Sequence, residues 1–497
     1  MTNTINQPAD SQTSYSIAEW KRGYDSQPNE YEYEITEIEG AIPTELSGTL
    51  FRNGPGLLDI GGSAIHHPFD GDGMISAFSF QDGKAFYRNR FVQTEAYLQE
   101  QEAGKILYRG VFGTQKPGGF FKNVFDLKLK NIANTGVIYW GGKLLALWEA
   151  AEPHRLDPET LDTLGIDYLD GVLQPGDAFS AHPWVDPSCV MDDGAPCLVN
   201  FRVDPGLSSK ITLFEFAPDG KLLRRHSHSI PGFSFIHDFI ITPQYAIFFQ
   251  NPVNFNPLPF LFGMRGAGEC VQFQPEKPTN VILIPRDSNN REIKTFSVES
   301  GFVFHHANAF EREKEICIDS IAYQTLPQVQ PNSDYKEVDF DPLDPGQLWR
   351  FTLNLEDGRV EREMLEGRCC EFPTHNPNKV GRDYRYLYLG AAADTQSNAP
   401  LQAILKLDLE TNEGQIHSFA PRGFVSEPIF VSKPNSERED SGWILTLVYD
   451  GKEHRSTLAI LDGENLAGDA VALLHLKHHI PYGLHGSWCD EVFVKAN

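Results

Sequence analysis

Short apolar runs alternate with turn signals built on Gly, Asn and Asp along most of the chain. Val137-Ile138-Tyr139-Trp140 is followed by Gly141-Gly142 and then by Lys143 to Trp148. Ile211 to Phe216 gives way to Ala217-Pro218-Asp219-Gly220 and Lys221 to Leu223. Leu348 to Leu353 and Ala403 to Leu409 lead into comparable turns at Asp357-Gly358 and Asn412-Glu413-Gly414. Each pair predicts a β-hairpin. The unit recurs at irregular intervals, which predicts an all-β chain: a β-propeller whose blades share geometry but little sequence, with a β-sandwich as the alternative.

Other stretches punctuate this pattern. A short helix starting near Ser16 is expected to carry Trp20 to Tyr24. Gly48 to Gly56 predicts a strand that runs into a tight turn at Gly54-Pro55-Gly56. Asp70-Gly71-Asp72-Gly73 invites a calcium-loop reading, but Met74 stands where a third oxygen ligand belongs, so a hairpin turn before the alternating strand Ile75 to Phe80 is expected. Two segments break the β pattern. In Phe112 to Asn131, the residues Phe120, Phe121, Val124 and Phe125 are predicted to share one helical face, and Lys116, Lys122, Lys128 and Lys130 make the segment locally basic. In Asn256 to Arg265, Leu258, Phe260, Leu261 and Phe262 lie among prolines that a central strand does not tolerate. The two segments either pack together as core or form an apolar patch that dips into a bilayer and admits an apolar substrate.

Composition narrows the class. With 497 residues, 40% of them hydrophobic, the chain can bury a large core, and 42 Gly with 33 Pro fit a turn-rich β protein. A formal net charge of -26 excludes a nucleic-acid-binding role, which needs a basic face. The seven cysteines include no CxxC pair and read as reduced thiols in a cytoplasmic protein, with Cys369-Cys370 as strand filler. No apolar run reaches the length of a spanning helix, and Met1 to Ser16 lacks the pattern of a signal peptide. Residues 1–15 are expected to form a disordered tail, and residues 16–497 a single domain.

Candidate chemistry centres on Phe304-His305-His306-Ala307. A buried imidazole needs partners for both ring nitrogens. On a strand, neighbouring side chains face opposite ways, so one histidine can turn to an interior site and the other away. His182, His237 and His485 also stand in apolar contexts, and histidines without nearby cysteine point to iron, zinc or copper. Glu149, Glu371 and Glu427 lie in equally apolar surroundings. A carboxylate accepting the second N–H of a metal-bound histidine would satisfy both partners.

Several motifs, in this order, resemble those of the carotenoid cleavage oxygenase family. They are Phe51-Arg52-Asn53-Gly54-Pro55-Gly56, His67-Pro68-Phe69-Asp70-Gly71-Asp72-Gly73-Met74, Lys130-Asn131-Ile132-Ala133-Asn134-Thr135, Leu147-Trp148-Glu149, Phe235-Ile236-His237-Asp238, Phe304-His305-His306-Ala307-Asn308-Ala309, Cys370-Glu371-Phe372-Pro373, Ser426-Glu427-Pro428 and Leu484-His485-Gly486. The resemblance implies a seven-bladed propeller with a cap of loops and short helices over its axis. It implies one Fe(2+) held by His182, His237, His305 and His485, with Glu149, Glu371 and Glu427 behind His237, His305 and His485. Thr135 is similar to a family residue whose methyl crowds an open position on the iron. The implied reaction is O2-dependent cleavage of the central 15,15′ double bond of an apocarotenal, giving retinal and a shorter dialdehyde. Phe69, Trp148, Phe235, Phe304, Tyr24 and Tyr323 are candidates to line an apolar tunnel for the polyene. From its apolar segments the protein is expected to be peripheral on a membrane, and it is expected to be a monomer. The other readings are a stilbene-cleaving oxygenase or polyene isomerohydrolase of the same family, a calcium-dependent propeller hydrolase of the lactonase kind, and a propeller scaffold without chemistry.

Overall fold

The computed structural model describes residues 15–189, 193–290, 292–327 and 335–494. The expected N-terminal tail lies outside these residues except for Tyr15, whose ring packs on Phe340. Ser16 caps a helix at Ile17–Lys21, and Tyr24 follows in a 3-10 turn.

Seven sheets of four to six strands dominate the fold, in the manner of a seven-bladed β-propeller. Blade 2 is built from Gly136–Trp140, Lys143–Leu147, His154–Leu156 and Thr163–Ile166. Blade 3 runs from Trp184–Asp186 to Leu222–Pro231, blade 4 from Ile240–Ile241 to Lys294–Val298, blade 5 from Phe302–Arg312 to Val360–Glu366, and blade 6 from Cys370–Thr374 to Glu413–Ser418. The first strand of each of these blades is the innermost, and the inner strands of blades 3 to 6 touch in turn around the axis. All four hairpins expected from the Gly-containing turns are present.

The two ends of the chain close the ring. Ile38–Gly40 adds to the outer strand Ala472–His475 of blade 7. Gly486–Cys489 pairs with Gly48–Leu57 and becomes the inner strand of blade 1. The hydrophobic core is divided accordingly into seven wedges, one between each pair of blades. Phe51, Ile75, Val137 and Leu144 fill the wedge between blades 1 and 2, while Leu145, Leu147, Leu198 and Phe214 fill the next. Successive residues of one strand therefore serve opposite wedges. Both faces of a blade are buried, so the middle strands read as nearly unbroken apolar runs.

Three local expectations are corrected. Gly54-Pro55-Gly56 is not a tight turn but part of the extended strand Gly48–Leu57, with a register shift between Pro55 and Leu57. Pairing to the inner strand ends at Arg52, so Pro55 lies where its missing N–H removes no ladder bond on that side. Gly54 is needed for closeness: a Cβ there would sit 2.5 Å from Gly483 Cα. Asp70-Gly71-Asp72-Gly73 is not a hairpin turn. Pro68–Asp70 forms a 3-10 turn, and the strand starts at Asp72. Both aspartates are buried. Asp70 accepts the N–H groups of Phe112 and Thr114, and Asp72 pairs with Lys130 at 2.7 Å. Lys130 consequently adds no charge to the surface: it lies inside, also bonded to Glu100 at 2.6 Å.

Removing the cation from this buried triad leaves two carboxylates without a counter-charge. Lys130→Met is expected to destabilise the fold by about 3–5 kcal/mol. Urea midpoints compared with those of Lys130→Arg, which keeps the charge, measure this.

Candidate metal centre

Each inner strand delivers one residue to the same end of the axis. Thr135 immediately precedes Gly136–Trp140, and His485 precedes Gly486–Cys489. His182, His237 and Glu427 stand just before Trp184–Asp186, Ile240–Ile241 and Ile429–Ser432. His305 and Glu371 lie near the start of Phe302–Arg312 and Cys370–Thr374. One ring nitrogen from each of His182, His237, His305 and His485 lies within 4.8 Å of the others. His182 Nε2 and His237 Nε2 are 2.9 Å apart.

Three carboxylates orient these rings. Glu149 lies 3.2 Å from His237 Nδ1, Glu371 2.6 Å from His305 Nδ1 and Glu427 2.8 Å from His485 Nδ1. Each carboxylate accepts the Nδ1–H and leaves Nε2 for the centre. Among the described residues no carboxylate is bonded to His182. His305 Nε2 is buried and has no protein partner, an arrangement that fits a metal ligand.

The glutamates are held charged. Burial pushes the Glu427 carboxyl up, but His485 and Arg52 outweigh it and leave it below its ordinary value. Burial opposes ionisation of Glu371 too, and there His305, the Phe372 N–H and the Tyr323 hydroxyl prevail. Tyr323 donates to Glu371 at 2.7 Å; burial and that carboxylate keep its phenol protonated. Burial and the neighbouring imidazoles push His182 far below the usual histidine range. At His305 burial acts the same way, but Glu371 overcomes it and raises the pKa to about 9.

His306 turns away from the centre. Its Nδ1 bonds Ser320 Oγ at 2.8 Å, and its ring packs on Phe249. Register shifts on both sides of His306 break the regular alternation of this strand.

Arg52 and Asn53 have no role assigned from sequence, yet they join three motifs. Arg52 binds Glu427 Oε2 at 2.5 Å and the Leu484 carbonyl at 3.0 Å. Asn53 donates to the Ala133 and Gly136 carbonyls, and its backbone exchanges bonds with Leu484 and His485. The His485 N–H in turn donates to the Thr135 carbonyl. Thr135 Oγ1 bonds Asn134, whose amide reaches the Phe69 and Gly71 carbonyls. The available signal was a charged residue, Arg52, inside the apolar strand Leu50-Phe51-Arg52. Phe372, at φ 55°, was likewise missed; its ring lies 5.6 Å from both His305 and His485.

The aromatic residues expected to line a tunnel fall into groups. Phe304 packs 5.6 Å from His237, 4.6 Å from Phe302 and 5.9 Å from Tyr323. Phe235 joins them through Phe302, and Phe233, Phe255 and Phe273 extend the cluster. Phe69 packs elsewhere, against His67 and Phe112. Tyr24 packs with Tyr335 and Tyr482 and lines a cavity of about 700 Å³ with Met264 and Arg265. Trp148 is buried just before Glu149.

The two segments that break the β pattern meet. Buried Arg109 donates to the carbonyls of Asp126, Phe260 and Arg265 and lies over the Phe260 ring. The Phe125 N–H bonds the Leu261 carbonyl. The shared helical face is not formed: only Phe120–Asn123 is helical, Val124 is extended, and Phe125 has φ 57°. The apolar surface nevertheless exists. Phe121 is 89% exposed and Phe125 70%, beside exposed Phe120, Leu258 and Phe262, whereas Phe260, Leu261 and Val124 are half-buried. No helix of the described residues is long and apolar enough to cross a membrane.

Residues 24–490 match the family described as retinal pigment epithelial membrane protein, RPE65. The chain is 56% identical to apocarotenoid-15,15'-oxygenase of Synechocystis over 97% of its length and 98% of that protein. A carotenoid 9,10(9',10')-cleavage dioxygenase of Arabidopsis thaliana is 30% identical over 91% of this chain and 86% of its own. The crystal structure of cobalt-substituted Synechocystis apocarotenoid oxygenase superposes with a TM-score of 0.95 at 56% identity, covering 96% of this chain and all of that one. A four-histidine centre on a seven-bladed propeller, matched over nearly the full chain, places this protein in the RPE65/carotenoid oxygenase family.

Proposed function

We propose that this protein is an Fe(II)-dependent dioxygenase that cleaves the central 15,15′ double bond of apocarotenals, giving retinal and a shorter dialdehyde. The observation that carries the reading is the convergence of four imidazoles on one point, three of them with Nδ1 committed to a carboxylate. His182, His237, His305 and His485 would hold the iron through Nε2, and the neutral ligand set suits Fe(II). Iron bound there supplies the electrons and open positions that activate O2.

The rest of the reaction is positioning. The Phe302, Phe304 and Phe235 rings form an apolar wall beside His237 that a conjugated polyene can lie against while water is kept off. With its hydroxyl tied to Asn134, Thr135 has its methyl left to narrow the space at the centre. Tyr323 and Arg52 hold Glu371 and Glu427, and so hold the rings of His305 and His485. No side-chain acid or base is required to move a proton, because both products are carbonyls formed by oxygen addition. The exposed Phe121 and Phe125 would dock on a membrane, from which an apolar substrate can enter without crossing water.

The test is anaerobic Fe(II) reconstitution followed by O2 and an all-trans apocarotenal, with separation of the products. Retinal formed only with both iron and oxygen is expected; cleavage of stilbenes but of no apocarotenal would overturn the substrate assignment. His305→Ala should lose iron and activity, while His306→Ala keeps its iron, as metal analysis after desalting will show. Glu371→Gln should weaken iron retention by about tenfold or more, measured by chelator competition. Phe121→Ser with Phe125→Ser should cut liposome co-sedimentation and leave turnover of detergent-dispersed substrate unchanged.

A further inference from the structure

The residues flanking the histidines in sequence meet two different surroundings. Phe235, two positions before His237, and Phe304, directly before His305, belong to the aromatic wall. Pro183 and Trp184 after His182, Asp238 after His237, and Ser487 after His485 line a separate cavity of about 200 Å³. Thr374 of blade 6 lines it as well, and His182, His305 and His485 are among its walls. It lies among the inner strands of the propeller, with room for several waters.

This cavity is mixed in character, unlike the aromatic wall. The Asp238 carboxylate accepts only the N–H groups of Phe239 and His306, and Glu427 shares the lining. Ser487 Oγ is buried without a protein partner. A buried polar atom without a partner calls for water. A divalent cation crossing an aromatic wall would have to shed its water with nothing in return, whereas oxygen donors along a wet cavity replace that water stepwise.

We propose that this axial cavity is the path by which a hydrated divalent cation enters and leaves the four-histidine centre, and that apolar substrate uses the opposite, aromatic side. The inference rests on the metal reading above but not on the identity of the substrate. Ser487 and Thr374 belong to different blades, and neither is placed among the ligands. Ser487 Oγ makes no protein bond, so replacing it removes none.

The experiment follows Co(II) uptake by chelator-stripped full-length protein, with metal counted after rapid desalting at timed intervals. Ser487→Leu and Thr374→Leu, which fill the cavity, should each slow uptake at least tenfold while reaching the same final one equivalent, and Ser487→Ala, which keeps it open with the Asp238, Thr374 and Glu427 oxygens in place, should match the parent. An apocarotenal present in excess should not slow uptake by the parent. Uptake at the parent rate by both Leu variants, slowing by apocarotenal alone, or failure of both Leu variants to bind cobalt would overturn the inference; if only one fails to bind, the other decides. Normal cobalt uptake without apocarotenal cleavage on iron loading would refute the proposed substrate and leave the path standing.

Discussion

Everything at the centre follows from the need to give each buried imidazole nitrogen a partner. Four rings meeting at one point cannot all bond one another. Three Nδ1 atoms are assigned to glutamates, which fixes both tautomer and ring orientation. The glutamates are not equally supported. Glu427 has Arg52 and the Gly486 N–H, and Glu371 has Tyr323 and the Phe372 N–H. Glu149 makes the longest contact of the three and is the most exposed, at 26%. Rigidity of the centre is therefore uneven, greatest at His305 and His485.

The propeller supports that arrangement by giving every histidine of the cluster the same kind of anchor. Each sits at or next to the first residues of an inner strand, and each strand is clamped between two apolar wedges. Loops between blades then need only short tethers. Asn53, Asn134 and Asp70 provide them, tying the strand of blade 1, the segment before blade 2 and the apolar surface segment into one unit. Substitutions at these polar residues would act on the centre through the backbone they hold.

Much of this was legible in the chain. Gly-containing turns between apolar runs marked the hairpins, because a turn with φ > 0 leaves a strong residue signature. The histidines and glutamates were visible as polar groups in apolar surroundings. Periodicity alone could not separate His305 from His306, since the strand is irregular on both sides of His306. Gly54-Pro55-Gly56 carried the letters of a turn, yet the glycine serves the close approach of Gly483. The spacing of Phe120, Phe121, Val124 and Phe125 fits a helix, but Phe125 turns into the left-handed region and ends it. Arg109 was silent in the sequence because the carbonyls that explain it lie up to 156 positions away.

The closing strand also sets an order of events. Gly486–Cys489 is the inner strand of the first blade but, among the described residues, the last strand in sequence. His485 stands directly before it, so a chain still emerging from the ribosome carries three of the four histidines and an open ring. No truncated or stalled product can assemble the complete centre. Closure of the ring and completion of the four-histidine cluster are thereby one event, and neither can precede the other.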